Sequence, residues 1–185
     1  GLPGQTEESW HDTVEKALAL EPEHLSCYGL MVEEGTPLAR RVEEGEVLPD
    51  DDMQAEMYLW TVDYLEQHGY HQYEISNFAK AECRSRHNLK YWNCDEYLGF
   101  GVSAHSYFNG NRFAFTPDRE KYCRAIEVPG SPIRLTVENE AVEERERLGE
   151  YIMLRFRLNE GLDTREFIRR FGASFDALYG DKLTR

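Results

Sequence analysis

The chain has 185 residues, of which 41% are hydrophobic and 12% aromatic, so it holds enough apolar side chains for a folded core. Its mean hydropathy is −0.67, and no apolar run approaches the roughly 20 residues that cross a bilayer, which excludes a membrane-spanning protein. The net charge is −14, and residues 1–63 carry 16 acidic but only 3 basic side chains. Since no basic face is evident, a general nucleic-acid-binding protein is excluded as well.

The first part of the chain predicts alternating helices and strands. Thr6 is a good N-terminal cap for a helix, residues 24–32 predict a buried strand, residues 34–37 a turn, and residues 70–75 a second strand. A helix beginning at residues 50–52 separates the two strands, and its predicted buried face consists of Met53, Met57, Trp60 and Tyr64. This alternation favours right-handed crossovers and an α/β fold with a largely parallel sheet.

The middle of the chain contains a long segment without regular periodicity. Between residues 76 and 96 the hydrophobic pattern fits neither the helical nor the strand period. We therefore predict a long loop, which is more often functional than connective. Residues 97–104 predict another strand, Asn109-Gly110-Asn111 a hairpin turn, and residues 118–126 a short helix.

The last part of the chain predicts a separate helical domain. Residues 127–137 hold two prolines and a glycine, and we place a domain boundary there. Residues 138–158 predict one long charged helix, and residues 164–171 and 174–182 predict two short ones. Three successive helices are typical of the start of a helix-turn-helix or winged-helix unit, of which the chain would hold only a part.

The segment HNLKYW at residues 87–92 is the strongest candidate site. His87 could ligate a metal or a haem iron, while Tyr91 and Trp92 could stack on a flat ring. The alternative is a well-packed loop in which His87 bonds to the backbone, since most histidines are not ligands.

Small residues in GFGVSAHS, at 99–106, indicate a close approach to the backbone. On a strand, Gly99, Gly101, Ser103 and His105 would share one face. A ligand could approach this face, or it could pack tightly against another part of the chain. Glu74 raises a similar choice, because a carboxylate after a strand can hold a substrate hydroxyl or amine or can cap the loop.

The four cysteines at positions 27, 83, 94 and 123 are scattered. No pair has CxxC spacing, and no three lie as an iron–sulfur site would require. Single thiols are more typical of a reducing compartment than of a disulfide framework, so we expect a cytoplasmic protein.

Four segments together identify a family resemblance. GLPGQT, YEISNFA, HNLKYW and YLGFGVSAHS follow one another in the order and spacing of the radical S-adenosylmethionine proteins related to oxygen-independent coproporphyrinogen III oxidase. HNLKYW resembles the HNxxYW motif that is linked to haem binding in the haem chaperone branch of this family. The porphyrinogen-oxidising branch has a different sequence at that place.

The resemblance implies a fold. Residues 1–127 would form the later half of a partial (β/α) barrel, and residues 138–185 the start of a helical, winged-helix-like C-terminal domain. The chain starts with Gly1 rather than Met, and we expect it to begin inside the barrel. The CxxxCxxC motif that binds a [4Fe–4S] cluster would then lie upstream of Gly1.

The resemblance also implies site residues. Tyr28, Met31 and His105 fall where the family lines the adenine side of S-adenosylmethionine. The haem residues would be His87, as a possible iron ligand, together with Asn88, Tyr91 and Trp92. One departure concerns position 103, where the chain has Ser103 and the chaperone branch more often has glycine.

Three functions follow as alternatives. In the first, the chain is a fragment of a haem chaperone that delivers haem to acceptor proteins. In the second, it is part of a coproporphyrinogen III dehydrogenase that uses a 5′-deoxyadenosyl radical for oxidative decarboxylation, the cofactor carrying the chemistry while the protein positions the substrate. In the third, the 185 residues alone are inactive because the half-barrel lacks its cluster and exposes a sheet edge.

Overall fold

The structure is a computed structural model that describes residues 1–128, 130 and 133–183. The chain divides into two compact units, Gly1–Ser85 and Arg86–Arg185. Within the described residues, no helix has the length and apolar character needed to cross a membrane.

The first unit contains three helices and one small sheet. Its elements are α1 (Glu7–Leu18), β1 (His24–Ser26), α2 (Pro37–Glu43), α3 (Asp51–Gln67), β2 (His71–Gln72) and β3 (Asn77–Ala79). The sheet has the order β1-β3-β2, and both pairings are antiparallel.

The prediction of a largely parallel sheet is therefore wrong. The central strand β3 lies in a stretch that was predicted to be loop, and Phe78 pairs with both Leu25 and Gln72. The strands predicted at 24–32 and 70–75 shrink to three and two residues. Beyond Ser26, a last backbone bond joins the Cys27 amide to the Ser76 carbonyl, and residues 28–32 have no regular structure.

Side-chain caps start the helices of this unit. The Thr6 hydroxyl accepts a hydrogen bond from the Ser9 amide, and the Ser9 hydroxyl accepts one from the Thr6 amide, which confirms the predicted start of α1. Asp50 caps α3 in the predicted place. Helix α2 was predicted only as a turn, although Thr36 as the cap and Pro37 as the first residue are strong helix-start signals.

The core of the first unit is built on Val14, Leu65, Tyr70 and Phe78. On α3 the buried residues are Met57, Thr61 and Leu65, so the predicted buried face holds only for Met57. Trp60 and Tyr64 pack against the core while remaining partly exposed. Thr61 can be buried because its hydroxyl donates to the Met57 carbonyl and accepts the indole N–H of Trp10.

The second unit contains five helices and another small sheet. Its elements are α4 (Arg86–Trp92), β4 (His105–Phe108), β5 (Asn111–Phe115), α5 (Arg119–Glu127), β6 (Thr136–Ala141), α6 (Glu144–Arg155), α7 (Thr164–Phe171) and α8 (Phe175–Leu183). The sheet has the order β4-β5-β6, again antiparallel. Buried Tyr151 and Phe167 lie at the centre of an aromatic cluster formed by the helices.

Several predictions in the second unit hold, and three do not. The hairpin at Asn109-Gly110 is confirmed, with φ of 50° and 72° at these two residues, and so are the helices α5, α7 and α8. Residues 97–104 are not a strand, because Tyr97 makes only an isolated bridge to Tyr107. The long helix predicted at 138–158 is instead β6 followed by α6, since the alternating sequence TVENEA pairs with β5. The loop predicted at 76–96 contains β3 and α4.

The predicted domain boundary at 127–137 stays a prediction. Residues 129, 131 and 132 of that segment, and residues 184 and 185 at the end of the predicted C-terminal domain, lie outside the described residues. The structure itself divides between Ser85 and Arg86.

A substitution at Leu65 tests the description of the core of the first unit. Its side chain is fully buried, whereas Leu59 on the same helix is 62% exposed. We expect Leu65→Ala to lower the free energy of unfolding by about 2–5 kcal/mol because it leaves a cavity. Leu59→Ala should change it by no more than about 0.5 kcal/mol. Urea denaturation followed by circular dichroism measures both, and equal effects would contradict this description of the core.

Candidate functional site

Helix α4 presents His87 and Tyr91 on the same face, because they are four residues apart. The Tyr91 hydroxyl and His87 Nε2 share a hydrogen bond of 2.9 Å, and the two rings meet edge-on with centroids 5.0 Å apart. His87 is exposed. Its Nδ1 has no hydrogen-bond partner among the described residues, so this nitrogen is available to a ligand.

Trp92 makes a different set of contacts from Tyr91. The guanidinium carbon of Arg157 lies 4.6 Å from the centre of the indole ring, and the indole Nε1 is buried without a hydrogen-bond partner within the described part of the chain. Tyr91 instead contacts Tyr97, with ring centroids 4.6 Å apart. The two aromatic rings of the motif therefore have separate neighbours, while Asn88 is half-buried on the same helix.

Two arginines hold the C-terminal end of α4. Nη1 of Arg155 donates to Asn93 Oδ1 at 2.6 Å, and Nη1 of Arg170 donates to the Asn93 carbonyl at 2.6 Å. Arg170 also pairs with Asp95 at 3.1 Å. Sequence reasoning missed these residues, because nothing local to α6 or α7 indicates that their arginines meet the NCD sequence after α4.

A cavity of about 220 Å³ lies in the second unit beside α4. It is lined by Tyr91, Cys94, Asp95, Tyr97, Tyr107, Arg112, Arg147, Glu150 and Leu154. Burial raises the pKa of the Cys94 thiol to about 11, and burial also raises the pKa of Tyr97. Both groups are therefore neutral at pH 7.

In GFGVSAHS, Gly99 makes a close contact within the chain itself. A Cβ at Gly99 would lie 2.2 Å from the His105 carbonyl oxygen, and the Gly99 amide donates to Ser106 Oγ at 3.0 Å. This geometry favours the packing interpretation for Gly99. Ser103 has φ of 59°, a conformation in which glycine is the least strained residue.

Two predicted cofactor residues lie in the first unit and one in the second. Tyr28 and Met31 are 67% and 77% exposed in the segment without regular structure. His105 begins β4 and is also exposed. Its Nδ1 lies 3.0 Å from the Ser103 carbonyl, and its Nε2 lies 3.9 Å from a Glu138 carboxylate oxygen.

Glu74 is fully buried and caps the chain before β3. Its Oε1 accepts hydrogen bonds from the Ser76 amide at 2.8 Å and from the Asn77 side-chain amide. Asn77 Oδ1 in turn accepts the Ser26 hydroxyl at 2.5 Å. These bonds favour the capping interpretation of this carboxylate.

The cysteines are free thiols at separate places in the chain. Burial raises the pKa of Cys27 to about 11 as well, and Cys123 is exposed. Among the described residues, no group of three or more His, Cys, Asp or Glu side chains is arranged to hold a metal ion.

Comparison with known proteins places the chain beside the radical S-adenosylmethionine proteins related to coproporphyrinogen III oxidase. Residues 142–185 match the HemN C-terminal domain. The solved structure of coproporphyrinogen III oxidase (HemN) from Escherichia coli, a radical SAM enzyme, matches all of this chain and 44% of that one, with a TM-score of 0.73 at 18% identity. The mixed α/β fold, with its two small antiparallel sheets, is therefore similar to that part of HemN.

Two curated relatives match almost the whole chain and are named haem chaperones. The haem chaperone HemW of Bacillus subtilis is 39% identical over 99% of this chain and 48% of its own length. HemW of Lactococcus lactis is 34% identical over 99% of this chain and 47% of its own length. The chain thus spans about half the length of these relatives. It is similar to the C-terminal part of HemW-like proteins, which confirms the resemblance seen in the sequence.

Another relative is similar over a shorter region. The mitochondrial radical S-adenosyl methionine domain-containing protein 1 of the mouse is 44% identical over 109 residues, which are 58% of this chain and 25% of that protein.

A substitution at Gly99 tests the close contact between this residue and the His105 carbonyl oxygen. We expect Gly99→Ala to destabilise the second unit by about 1–3 kcal/mol, because the added methyl group must displace the backbone. Ser103→Gly is the matched control, and it should change the free energy of unfolding by no more than about 1 kcal/mol. Thermal unfolding measures both variants, and a Gly99→Ala protein as stable as wild type would contradict the geometry.

Proposed function

We propose that this chain is part of a HemW-type haem chaperone, which binds haem beside α4 and passes it to acceptor proteins in the cytoplasm. The observation that carries the proposal is the exposed His87–Tyr91 pair inside HNLKYW. It occurs in a chain that is similar to haem chaperones over 99% of its length. Haem is then the cargo of the protein.

The chemistry of α4 fits an iron porphyrin. A neutral imidazole is a competent iron ligand, and the His87 Nδ1 has no competing hydrogen bond within the described residues. Ligation through Nε2 would require the Tyr91 hydroxyl to leave that nitrogen. Tyr91 supplies aromatic surface next to the imidazole, and an aromatic face suits a flat apolar ring.

Trp92 and Asn88 have supporting roles in this proposal. Trp92 packs against Arg157, so we assign it to the stability of the helix end and to apolar contact at the edge of the haem. Asn88 follows His87 on the helix and is half-buried, and we keep it among the proposed haem residues because it belongs to the HNxxYW motif.

The proposal extends to the family's cofactors. S-adenosylmethionine and a [4Fe–4S] cluster belong to the complete protein implied by the resemblance, and Tyr28, Met31 and His105 would lie on the adenine side. All three are exposed, which leaves them accessible to such a ligand. The partial barrel over residues 1–127 and the winged-helix-like domain from residue 138 belong to the same proposal, supported by the likeness to HemN.

The haem site is tested by removing the imidazole. We expect His87→Ala to weaken haem binding at least tenfold and to change the Soret band, because an axial iron ligand is lost. His71→Ala is the matched control, since His71 is also exposed but hydrogen-bonds to Glu66 in the first unit. It should bind haem as wild type does.

Two results of this titration would count against the site. Equal affinities and identical spectra for His87→Ala and wild type would remove His87 as a ligand. A wild-type protein that binds no haem would overturn the proposed function.

The second candidate function is coproporphyrinogen III oxidation, which the likeness to HemN favours. Its four-carboxylate substrate requires several free cations, and Lys80, Arg84, Arg86 and Lys90 lie near the motif in sequence. The Lys80 ammonium, however, lies 5.3 Å from the Tyr70 ring centre, and the Arg84 guanidinium lies 5.6 Å from that of Tyr73. Two of the four cations therefore contact aromatic rings of the first unit, contacts that place them without cancelling their charge.

The two functions differ in turnover. A cluster-loaded full-length protein, given coproporphyrinogen III, S-adenosylmethionine and a reductant without oxygen, should form no protoporphyrinogen IX while it binds haem. Chromatography of the products measures this. Sustained formation of protoporphyrinogen IX would replace the chaperone with the oxidase.

A further inference from the structure

The cavity beside α4 has an aromatic wall that shares Tyr91 with the His87–Tyr91 pair. Tyr91 lines it together with Tyr97, Tyr107 and Leu154, and the Tyr91 hydroxyl reaches His87 Nε2. A volume of about 220 Å³ is below the roughly 300 Å³ at which sites for whole drug-sized ligands begin. The cavity therefore suits a small group, or one edge of a larger ligand.

Most charges in the lining neutralise one another or are neutralised by a neighbour. Arg112 donates to both carboxylate oxygens of Glu150, at 2.8 and 2.9 Å, and it lies 3.6 Å from Glu140. Asp95 is paired with Arg170 at 3.1 Å. Arg112 and Asp95 are therefore both paired within the chain. Arg112 also lies 4.0 Å from Glu146, so it is already surrounded by carboxylates and is not a separate binding group for a ligand.

Arg147 is the exception in this lining. It lies on α6, its side chain is exposed, and it makes no ion pair or side-chain hydrogen bond with any described residue. Its charge acts on the Cys94 thiol, since it opposes the effect of burial on that pKa. The cavity thus combines an aromatic wall with one unpaired guanidinium.

We propose that this cavity holds a carboxylate-bearing edge of the haem bound at α4, and that Arg147 pairs with one propionate. The proposal rests on the proposed function and adds to it a second point of attachment. An aromatic wall accepts the apolar periphery of the ring, while the guanidinium fork matches a carboxylate. His87 and Arg147 then divide the recognition between the iron and the ring edge.

The test compares haem with haem dimethyl ester, in which both propionates are blocked. Each is titrated into wild type, Arg147→Gln, Arg147→Lys and Arg145→Gln. Arg145 is the matched control, because it is an exposed arginine of the same helix that does not line the cavity. Circular dichroism checks that each variant is folded.

We expect Arg147→Gln to weaken haem binding about two- to fivefold, as for an exposed ion pair, and to leave the affinity for the dimethyl ester unchanged. Arg147→Lys should lose less than Arg147→Gln, and Arg145→Gln should match wild type for both ligands. The Soret maximum should stay at its wild-type position in all of them, because the iron ligand is not altered.

Three results would overturn the proposal. In the first, Arg147→Gln binds haem as tightly as wild type does. In the second, Arg147→Gln lowers the affinity for haem and for its dimethyl ester by the same factor. In the third, wild type binds both ligands with the same affinity. The last comparison needs no variant, so it decides the matter even if Arg147→Gln fails to fold. A wild-type protein that binds no haem would overturn the proposed function as well, whereas the other three results would not affect the proposed function.

Discussion

The buried guanidinium of Arg155 is the interaction on which the second unit depends. Its side chain is only 8% exposed, and removing an ion from water costs several kcal/mol unless it is fully hydrogen-bonded. Here the cation donates to the Gly161 carbonyl at 2.7 and 3.1 Å, to Asn93 and to Glu160. It thereby fastens the end of α4 to α6 and to the turn at Gly161.

Asn93 is the shared acceptor of two cations. Its side-chain oxygen accepts from Arg155, and its backbone carbonyl accepts from Arg170. A helix C-terminus carries a partial negative charge, so cations are stabilising there. Helix α4 has only seven residues, too few to be stable alone in water. The helical conformation of α4 therefore depends on these tertiary contacts, and so do the positions of His87 and Tyr91.

Local signals in the sequence predicted local structure well. The cap at Thr6, the helix starts near Asp50 and Asp118, and the turn at Asn109-Gly110 are all in place, because each depends on a few neighbouring residues. The pairing of strands does not depend on neighbours alone. β3 lies between β1 and β2 although β1 is about fifty residues away, so alternation of elements suggested parallel strands where the chain forms antiparallel ones.

For the candidate site as well, local features could be predicted from the sequence, and long-range contacts could not. The motif HNLKYW drew attention to His87 and Tyr91, which the structure joins by a hydrogen bond, since residues four apart on a helix meet automatically. Arg112, Arg147 and Glu150 reach the cavity from β5 and α6, and no local pattern reveals that convergence. Gly99 could be recognised as a place of close approach, but only the fold identifies the approaching group as the His105 carbonyl.

The exposure of His87 bears on how a carrier could release its cargo. In the proposed function, the exposed imidazole would hold the haem iron at the surface, where a ligand from the acceptor could also reach it. Exposed ion pairs contribute about 0–1 kcal/mol, so an exposed Arg147 pairing with a propionate would orient the haem more than it would retain it. Apolar contact and the iron–nitrogen bond would then supply most of the affinity. Transfer would require the acceptor to replace one nitrogen ligand, while the fold held by Arg155 and Arg170 stays unchanged.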